Sequence, residues 1–162
     1  MTIDTPRAMF MHELSDIYDA EHQFLEAQHT LHDNAADPRL RTLIEEHIKE
    51  TEEQIQNVER VFELMGESPR RQPCSGAHGL VDEAEKALAE IENQALKDTA
   101  VGVAATKAEH YEIVAYKDLI DSAQMMGKAR VVRLLEHNRA QEIRTARRLE
   151  RAAPRLLKLA AA

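Results

Sequence analysis

The sequence predicts an all-α protein: a four-helix bundle in which a long crossover joins the second helix to the third. Aromatic residues make up only 4% of the chain, glycines number five and tryptophan is absent, a composition typical of helical proteins. Four long stretches repeat apolar residues at three- and four-residue spacing, which is the pattern of amphipathic helices. The length of 162 residues suits a single domain over 1–162.

The first two helices are predicted from matching start signals. A threonine before Pro6 and an aspartate before Pro38 each place an N-cap next to a proline in the first helical turn. The apolar stripes that follow predict helices over about 6–32 and about 38–65, and Gly66 ends the second. Because the connection is short, we expect these helices to lie antiparallel.

The second half of the chain contains the crossover and two more long helices. The segment 67–96 begins with many helix breakers and continues into a short helical pattern, which predicts a helix over about 80–95. Its length is enough to run from one end of a bundle to the other. Further stripes predict helices over about 98–126 and about 128–153.

Charge and composition exclude several classes of protein. A net charge of −8 argues against a nucleic-acid partner, and the arginines within 130–155 are interpreted as the solvated face of the last helix. No apolar run is long enough to span a bilayer, and the first residues lack a secretory signal, so we expect a cytoplasmic protein. The single cysteine, Cys74, rules out an internal disulfide and a cysteine-based zinc cluster.

Four glutamates are expected at one height of the bundle, each on a different long helix. Residues equidistant from the turn of a helical hairpin are level, which pairs Glu21 with Glu50 and Glu112 with Glu142. Each is about fifteen residues from its turn, or roughly 22 Å, which is near the middle of the bundle. Buried carboxylates repel one another unless protons or divalent cations hold them, so the layer predicts a metal site.

The apolar stripes support three of these four positions. Glu21, Glu112 and Glu142 each stand where an apolar residue is expected. Glu50 lies toward the edge of its stripe, and His47, one turn earlier, interrupts the apolar face more directly.

Two pairs of candidate ligands lie three residues apart. His47 and Glu50 could bind one ion together through imidazole and carboxylate, and Glu109 and Glu112 form a Glu-x-x-Glu pair on one helical face.

Alternative interpretations of these residues remain open. Any single glutamate could be a solvated helical carboxylate, and His47 could equally be a hydrogen-bonded core histidine. No phosphate-binding loop, HExxH motif or Ser/His/Asp signature is present.

Several segments of the chain resemble one protein family. They are residues 17–28, 45–69, 73–85 and 107–119, with the His-x-x-Glu-Thr and Glu-His-Tyr-Glu-Ile runs the most specific parts. They are similar to the YciF-like branch of the ferritin-like superfamily, and the match covers nearly the whole chain. The resemblance implies a ferritin-like bundle with a short extra helix in the crossover. It also implies a homodimer, a link to stress, and a rubrerythrin-like centre with two iron ions per subunit.

The resemblance also implies a ligand set, carried over position by position: Glu21, Glu50, Glu109, Glu112 and Glu142, with His47 as an addition. The chain departs from the family pattern on the last helix. The acidic residue expected four positions after the glutamate is Ala146, and Thr145 stands where rubrerythrin has a histidine. This departure is expected to weaken or abolish binding of the second ion.

The function implied by the resemblance is oxidation of Fe(II) by dioxygen or peroxide, since hard oxygen ligands stabilise the ferric state. Two alternatives use the same residues differently. One is manganese-dependent disproportionation of peroxide. The other is a non-enzymatic stress-response dimer whose polar layer is vestigial.

Overall fold

The computed structural model describes residues 3–162, and within them it contains five helices and no strand. The helices are α1 (Pro6–Asn34), α2 (Pro38–Leu64), α3 (Ser75–Glu90), α4 (Gln94–Met125) and α5 (Ala129–Ala160). Helices α1, α2, α4 and α5 pack as a four-helix bundle, while α3 lies outside it against α1 and α4. The predicted all-α fold, with an extra helix in the crossover, is confirmed.

The turn between α1 and α2 determines where α4 begins. The Thr5 and Asp37 side chains cap the two helices, as their proline signals predict. The Asp98 carboxylate near the start of α4 accepts hydrogen bonds from the backbone N–H groups of Ala36 and Asp37 at 2.7 and 3.0 Å. Since α4 starts at this turn, the chain must return along the whole bundle after α2.

The first part of the crossover runs along α1. Gly66, with φ of +77°, turns the chain out of α2 in the left-handed conformation that glycine tolerates. Backbone N–H groups of Gln72 and Cys74 then donate to the Ser15 carbonyl at 3.1 Å and to the Asp19 carboxylate at 2.8 Å. These bonds lead the crossover back toward the α1–α2 turn and position α3.

Helices α3 and α4 begin earlier than predicted. The predicted helix over 80–95 is α3, Ser75–Glu90, and the helix predicted from 98 starts at Gln94. Caps explain both shifts: Cys74 Sγ accepts from Ala77 N at 3.4 Å, and the Asn93 side chain accepts from Leu96 N at 3.0 Å. A capped first turn offsets the low helix propensity of the serine and glycines that open α3.

Helix α5 continues to Ala160, seven residues beyond its predicted end at 153. Pro154 lies inside it, although a proline within a helix costs about 3 kcal/mol. The following turn is held by tertiary contacts: the Arg155 guanidinium donates to both Asp37 carboxylate oxygens at 2.6 and 2.7 Å, and Leu156 is buried. Tertiary contacts therefore override the local signal.

The apolar core forms two clusters, one at each end of the bundle. The cluster near the α1–α2 turn, called the upper cluster, contains Leu31, Leu40, Ile44, Val101, Leu149 and Leu156. The lower cluster includes Phe10, Leu14, Ile17, Phe62, Leu119 and Leu135. Buried polar residues occupy the height between them. Among the described residues, no helix is long and apolar enough to cross a membrane.

Two glycines of α3 offer a matched test of how this helix packs. A Cβ at Gly76 would lie 2.7 Å from the Tyr111 ring, whereas a Cβ at Gly79 would meet nothing within 4 Å. The Tyr111 hydroxyl is held by Cys74 Sγ at 3.0 Å and by the Asp16 carboxylate at 3.3 Å, so its ring cannot move freely.

We predict that Gly76→Ala destabilises the protein by about 1–3 kcal/mol through overpacking. Gly79→Ala, the control on the same helix, should stabilise it by about 0.5–1 kcal/mol because it removes a flexible helical glycine. Urea unfolding followed by circular dichroism measures both. A stabilising Gly76→Ala would contradict the close packing of α3 on Tyr111.

Candidate metal centre

A layer of ionisable side chains crosses the middle of the bundle. We call it the polar layer: Glu21 of α1, His47 of α2, Glu109 and Glu112 of α4, and Glu142 of α5. All five are buried. They replace apolar residues on the inward faces of their helices, so the same periodicity that builds the two clusters turns these side chains into the core.

Four members of the polar layer converge on one point. His47, Glu109, Glu112 and Glu142 each contribute one nitrogen or oxygen atom, and these atoms all lie within 4.8 Å of one another. His47 Nε2 is 2.8 Å from Glu109 Oε1 and 3.8 Å from Glu142 Oε2. Metal–ligand bonds of about 2.0–2.2 Å place ligands on opposite sides of an ion about 4 Å apart. The four residues could therefore hold a metal ion.

Several atoms of the polar layer lack hydrogen-bond partners. One carboxylate oxygen of each of Glu21, Glu109, Glu112 and Glu142 is buried without one. An unsatisfied buried polar atom costs about 1–3 kcal/mol, and more when it is charged. A divalent cation held by the group of four could satisfy oxygens of Glu109, Glu112 and Glu142, and carboxylate oxygens with one imidazole nitrogen suit Fe(II), Mn(II) or Zn(II).

Burial and mutual repulsion shift the pKa values of the layer. Burial raises the pKa of Glu21 to about 8. It raises the pKa of Glu112 and of Glu142 well above the ordinary value, and neighbouring glutamates raise both further. Burial alone would lower the pKa of His47, but the Glu109 and Glu50 carboxylates outweigh it and raise that pKa to about 10. Without a cation the layer therefore retains protons.

Glu50 lies at the rim of the layer, outside the group of four. Its side chain is 27% exposed, and it accepts hydrogen bonds from Arg144 and from the Thr145 hydroxyl, both at 3.2 Å. Burial favours a higher pKa, but His47 and Arg144 hold the pKa of Glu50 below its ordinary value. Glu50 Oε2 is 3.6 Å from His47 Nδ1, a position from which a carboxylate can orient a ligating histidine. Its role as a direct ligand stays a prediction.

A hydrogen-bond network supports the other side of the layer. The Tyr116 hydroxyl donates to Glu21 Oε1. The Asn138 side-chain amide donates to the Tyr116 oxygen at 3.0 Å and to the backbone carbonyl of Gln54 at 3.1 Å. The Gln54 amide in turn donates to Glu142 Oε1. Sequence reasoning missed Asn138, although its position between Leu135 and Glu142 on the α5 stripe is a usable signal.

The polar layer differs from the ligand set that is typical of di-metal helix bundles. Such bundles use one glutamate on each of two helices and a Glu-x-x-His pair on each of the other two. Here α2 has His47 and Glu50 at that spacing but in the reverse order, with the neutral Thr51 and Gln54 also buried, and α5 has Glu142 followed by Thr145. The Thr51 and Thr145 hydroxyls are already bonded, to Gln28 and Glu50, and Ala146 is buried and has no ligand atom. His47 is thus the one histidine of the layer.

Comparison with known proteins identifies the family. The sequence model described as "Domain of unknown function (DUF892)" matches residues 5–162. The chain belongs to this family. Protein YciF of Escherichia coli (strain K12) is 32% identical over 143 residues, which cover 88% of this chain and 86% of YciF. The predicted YciF-like family is therefore confirmed.

Solved structures share the fold. The crystal structure of the E. coli stress protein YciF superposes with a TM-score of 0.91 and 30% identity, over 96% of this chain and 98% of that one. YcfI from Rhodopseudomonas palustris superposes with a TM-score of 0.90 and 32% identity, over 91% of this chain and 94% of that one. A protein from Xanthomonas campestris gives 0.76 at 22% identity, over 94% of each chain, and shares the fold alone.

The pKa shifts in the layer determine how stability depends on pH. Glu21 ionises near 4.5 in the unfolded chain and near 8 in the folded one, so between these values the folded state binds more protons. His47 behaves in the same way between 6.5 and about 10. Both groups lower the free energy of unfolding as pH rises through these windows. Asp37, with a pKa lowered to about 2 by Arg155, acts oppositely, but only below its ordinary 3.8.

We predict that the metal-free protein is more stable near pH 5 than near pH 8.5, because the layer must lose protons over that range. Chemical denaturation at a series of pH values in the presence of a chelator measures this. Glu112→Gln should flatten the dependence, since the amide stays neutral throughout. Stability that rises steadily from pH 5 to pH 8.5 would contradict the protonated layer.

Proposed function

We propose that this YciF-like protein binds a di-iron centre in the polar layer and oxidises Fe(II) with dioxygen or peroxide. The observation that carries the proposal is the convergence of His47, Glu109, Glu112 and Glu142, buried, with carboxylate oxygens that have no other partner. The description of E. coli YciF as a stress protein supports a role in stress, where removing Fe(II) together with an oxidant would be protective.

The layer suggests unequal positions for two ions. His47, Glu109, Glu112 and Glu142 would hold the first. Glu21 would hold the second together with Glu112, whose pKa is raised by burial and then by the charges of both Glu21 and Glu109. The second position has fewer available ligands, because α5 has Thr145 and Ala146 where the family pattern predicts a histidine and an acidic residue. We therefore infer weaker binding of the second ion.

The residues of the polar layer would also bind and release protons. Glu21, Glu112, Glu142 and His47 hold protons in the metal-free protein and would release them when a cation binds. Tyr116, which donates to Glu21 Oε1, would keep that carboxylate in place. Each Fe(II) ion that is oxidised as a substrate gives one electron. Two Fe(II), one dioxygen and two protons therefore yield two Fe(III) and one hydrogen peroxide. Two further Fe(II) and two protons reduce that peroxide to two waters.

Glu112 provides a test of metal binding. Fe(II) added without oxygen should raise the melting temperature, since it binds only the folded state. Glu112→Gln should show a smaller shift. Its metal-free form should be no less stable than the wild type, because the amide keeps nearly the same volume and replaces a carboxyl that repels its neighbours once it loses its proton.

Glu52→Gln, which alters an exposed glutamate of α2, is the control and should keep the full shift. Equal shifts in all three proteins would mean that Glu112 is not a ligand. No shift in any of them would favour the vestigial-layer alternative.

The proposed reaction is tested by oxygen consumption. Protein purified without chelators should contain iron, and Fe(II) added to it should consume dioxygen faster than Fe(II) in buffer, with the excess lost in Glu112→Gln. An oxygen electrode with parallel metal analysis measures both. Dioxygen release from peroxide by manganese-loaded protein, without iron-dependent uptake, would establish the manganese alternative instead. The homodimer expected from the resemblance stays a prediction.

A further inference from the structure

An apolar cavity lies directly above the polar layer, on the side of the upper cluster. It is a small space of about 30 Å³ bounded by all four bundle helices and by α3. Apolar side chains such as Phe24, Ile44 and Leu149 form most of its wall. At its lower end it meets His47 and Glu109, the pair whose facing atoms are 2.8 Å apart. The cavity therefore ends on the candidate metal centre.

The cavity exists because α4 carries alanines where it passes the upper half of the bundle. Ala104, Ala105 and Ala108 line it, and the last of them immediately precedes Glu109. A protein interior is normally packed with few voids larger than a water molecule. A leucine at one of these positions would fill the space, so the alanines keep open a passage that core packing alone would close.

The size and lining of the cavity select its occupant. A cavity of about 150 Å³ admits benzene, so about 30 Å³ is too small for an organic substrate. Water and hydrogen peroxide need several polar partners. The wall offers polar side chains only at Gln28, Thr145, His47 and Glu109, and it is apolar where Ala27, Val81 and Ala104 line it. A small apolar molecule needs no such partners. Dioxygen meets both conditions.

A surface groove between α1 and α3 adjoins the cavity. Ala27 and Val81 line both spaces, and both residues are only partly buried. The groove itself is polar, with Glu26, Asp82 and Glu85 among its walls. These two small apolar side chains stand between the polar groove and the apolar cavity.

We propose that this cavity is the route by which dioxygen reaches the candidate metal centre, entering past Ala27 and Val81 and arriving beside His47 and Glu109. The proposal rests on the proposed function and narrows its oxidant to dioxygen. Hydrogen peroxide, being polar, does not use this route.

Two alanines of α4 provide a matched pair of variants. Ala104 and Ala100 are one helical turn apart, both are partly buried, and both pack against the upper cluster. Ala104 lines the cavity, whereas Ala100 does not. Both Ala104→Leu and Ala100→Leu replace one good helix former with another.

In the experiment, protein loaded anaerobically with Fe(II) is mixed in a stopped-flow instrument with dioxygen or with hydrogen peroxide, and the appearance of Fe(III) is followed. Ala104→Leu should slow oxidation by dioxygen several-fold and leave oxidation by peroxide unchanged, while Ala100→Leu should change neither. Equal slowing of both oxidants in Ala104→Leu, or no slowing by either, would overturn the proposal.

Xenon binding tests the cavity without any metal chemistry. Crystals of metal-free protein under xenon pressure should show a xenon atom beside Ala104 and Ala105 in the wild type and in Ala100→Leu, and none in Ala104→Leu. Absence of xenon beside Ala104 and Ala105 in the wild type would overturn the proposal that the cavity is a route for dioxygen. If neither oxidant acts on the wild type, the proposed function fails, and the xenon result still decides whether the cavity admits an apolar gas.

Discussion

The repulsion among buried carboxyl groups is the constraint on which the rest of this structure depends. Glu21, Glu109, Glu112 and Glu142 lie in a core where an isolated charge costs several kcal/mol. Protons and the His47 imidazole reduce their repulsion, while the Gln54 amide and the Tyr116 hydroxyl orient Glu142 and Glu21. Two separate apolar clusters provide the stability that the middle of the bundle does not.

Much of the fold was predictable because its signals are local. The prolines that open α1 and α2, with their capping residues, fix the start of each helix, and stripe periodicity places Glu21, Glu112 and Glu142 inside. The misjudged boundaries have tertiary causes. Pro154 reads as a helix end, and only the pairing of Arg155 with Asp37, distant in sequence, shows why α5 continues.

Part of the candidate site was also predictable from local sequence signals. Periodicity separates inward from outward positions, but it does not decide between two residues one turn apart at the edge of a stripe. Whether His47 or Glu50 enters the core depends on the rotation of α2, which is set by packing against α5 and by the exposed Arg144 that holds Glu50 at the rim. Asn138 was missed because an amide on an inward face carries no charge to signal a site.

The division of the core has a consequence for how the protein unfolds. Apolar packing couples residues within each half of the bundle, but the polar layer interrupts it at mid-height. Apolar links between the halves remain at α3, which contributes Ala77 to the lower cluster and Leu88 to the upper one, and at Phe24, which lines the same cavity as Ile44. A cation held by three helices would act there as a crosslink between α2, α4 and α5. Metal binding would thus strengthen the coupling between the two halves, and metal loss would lower the free energy at which one end opens while the other stays folded.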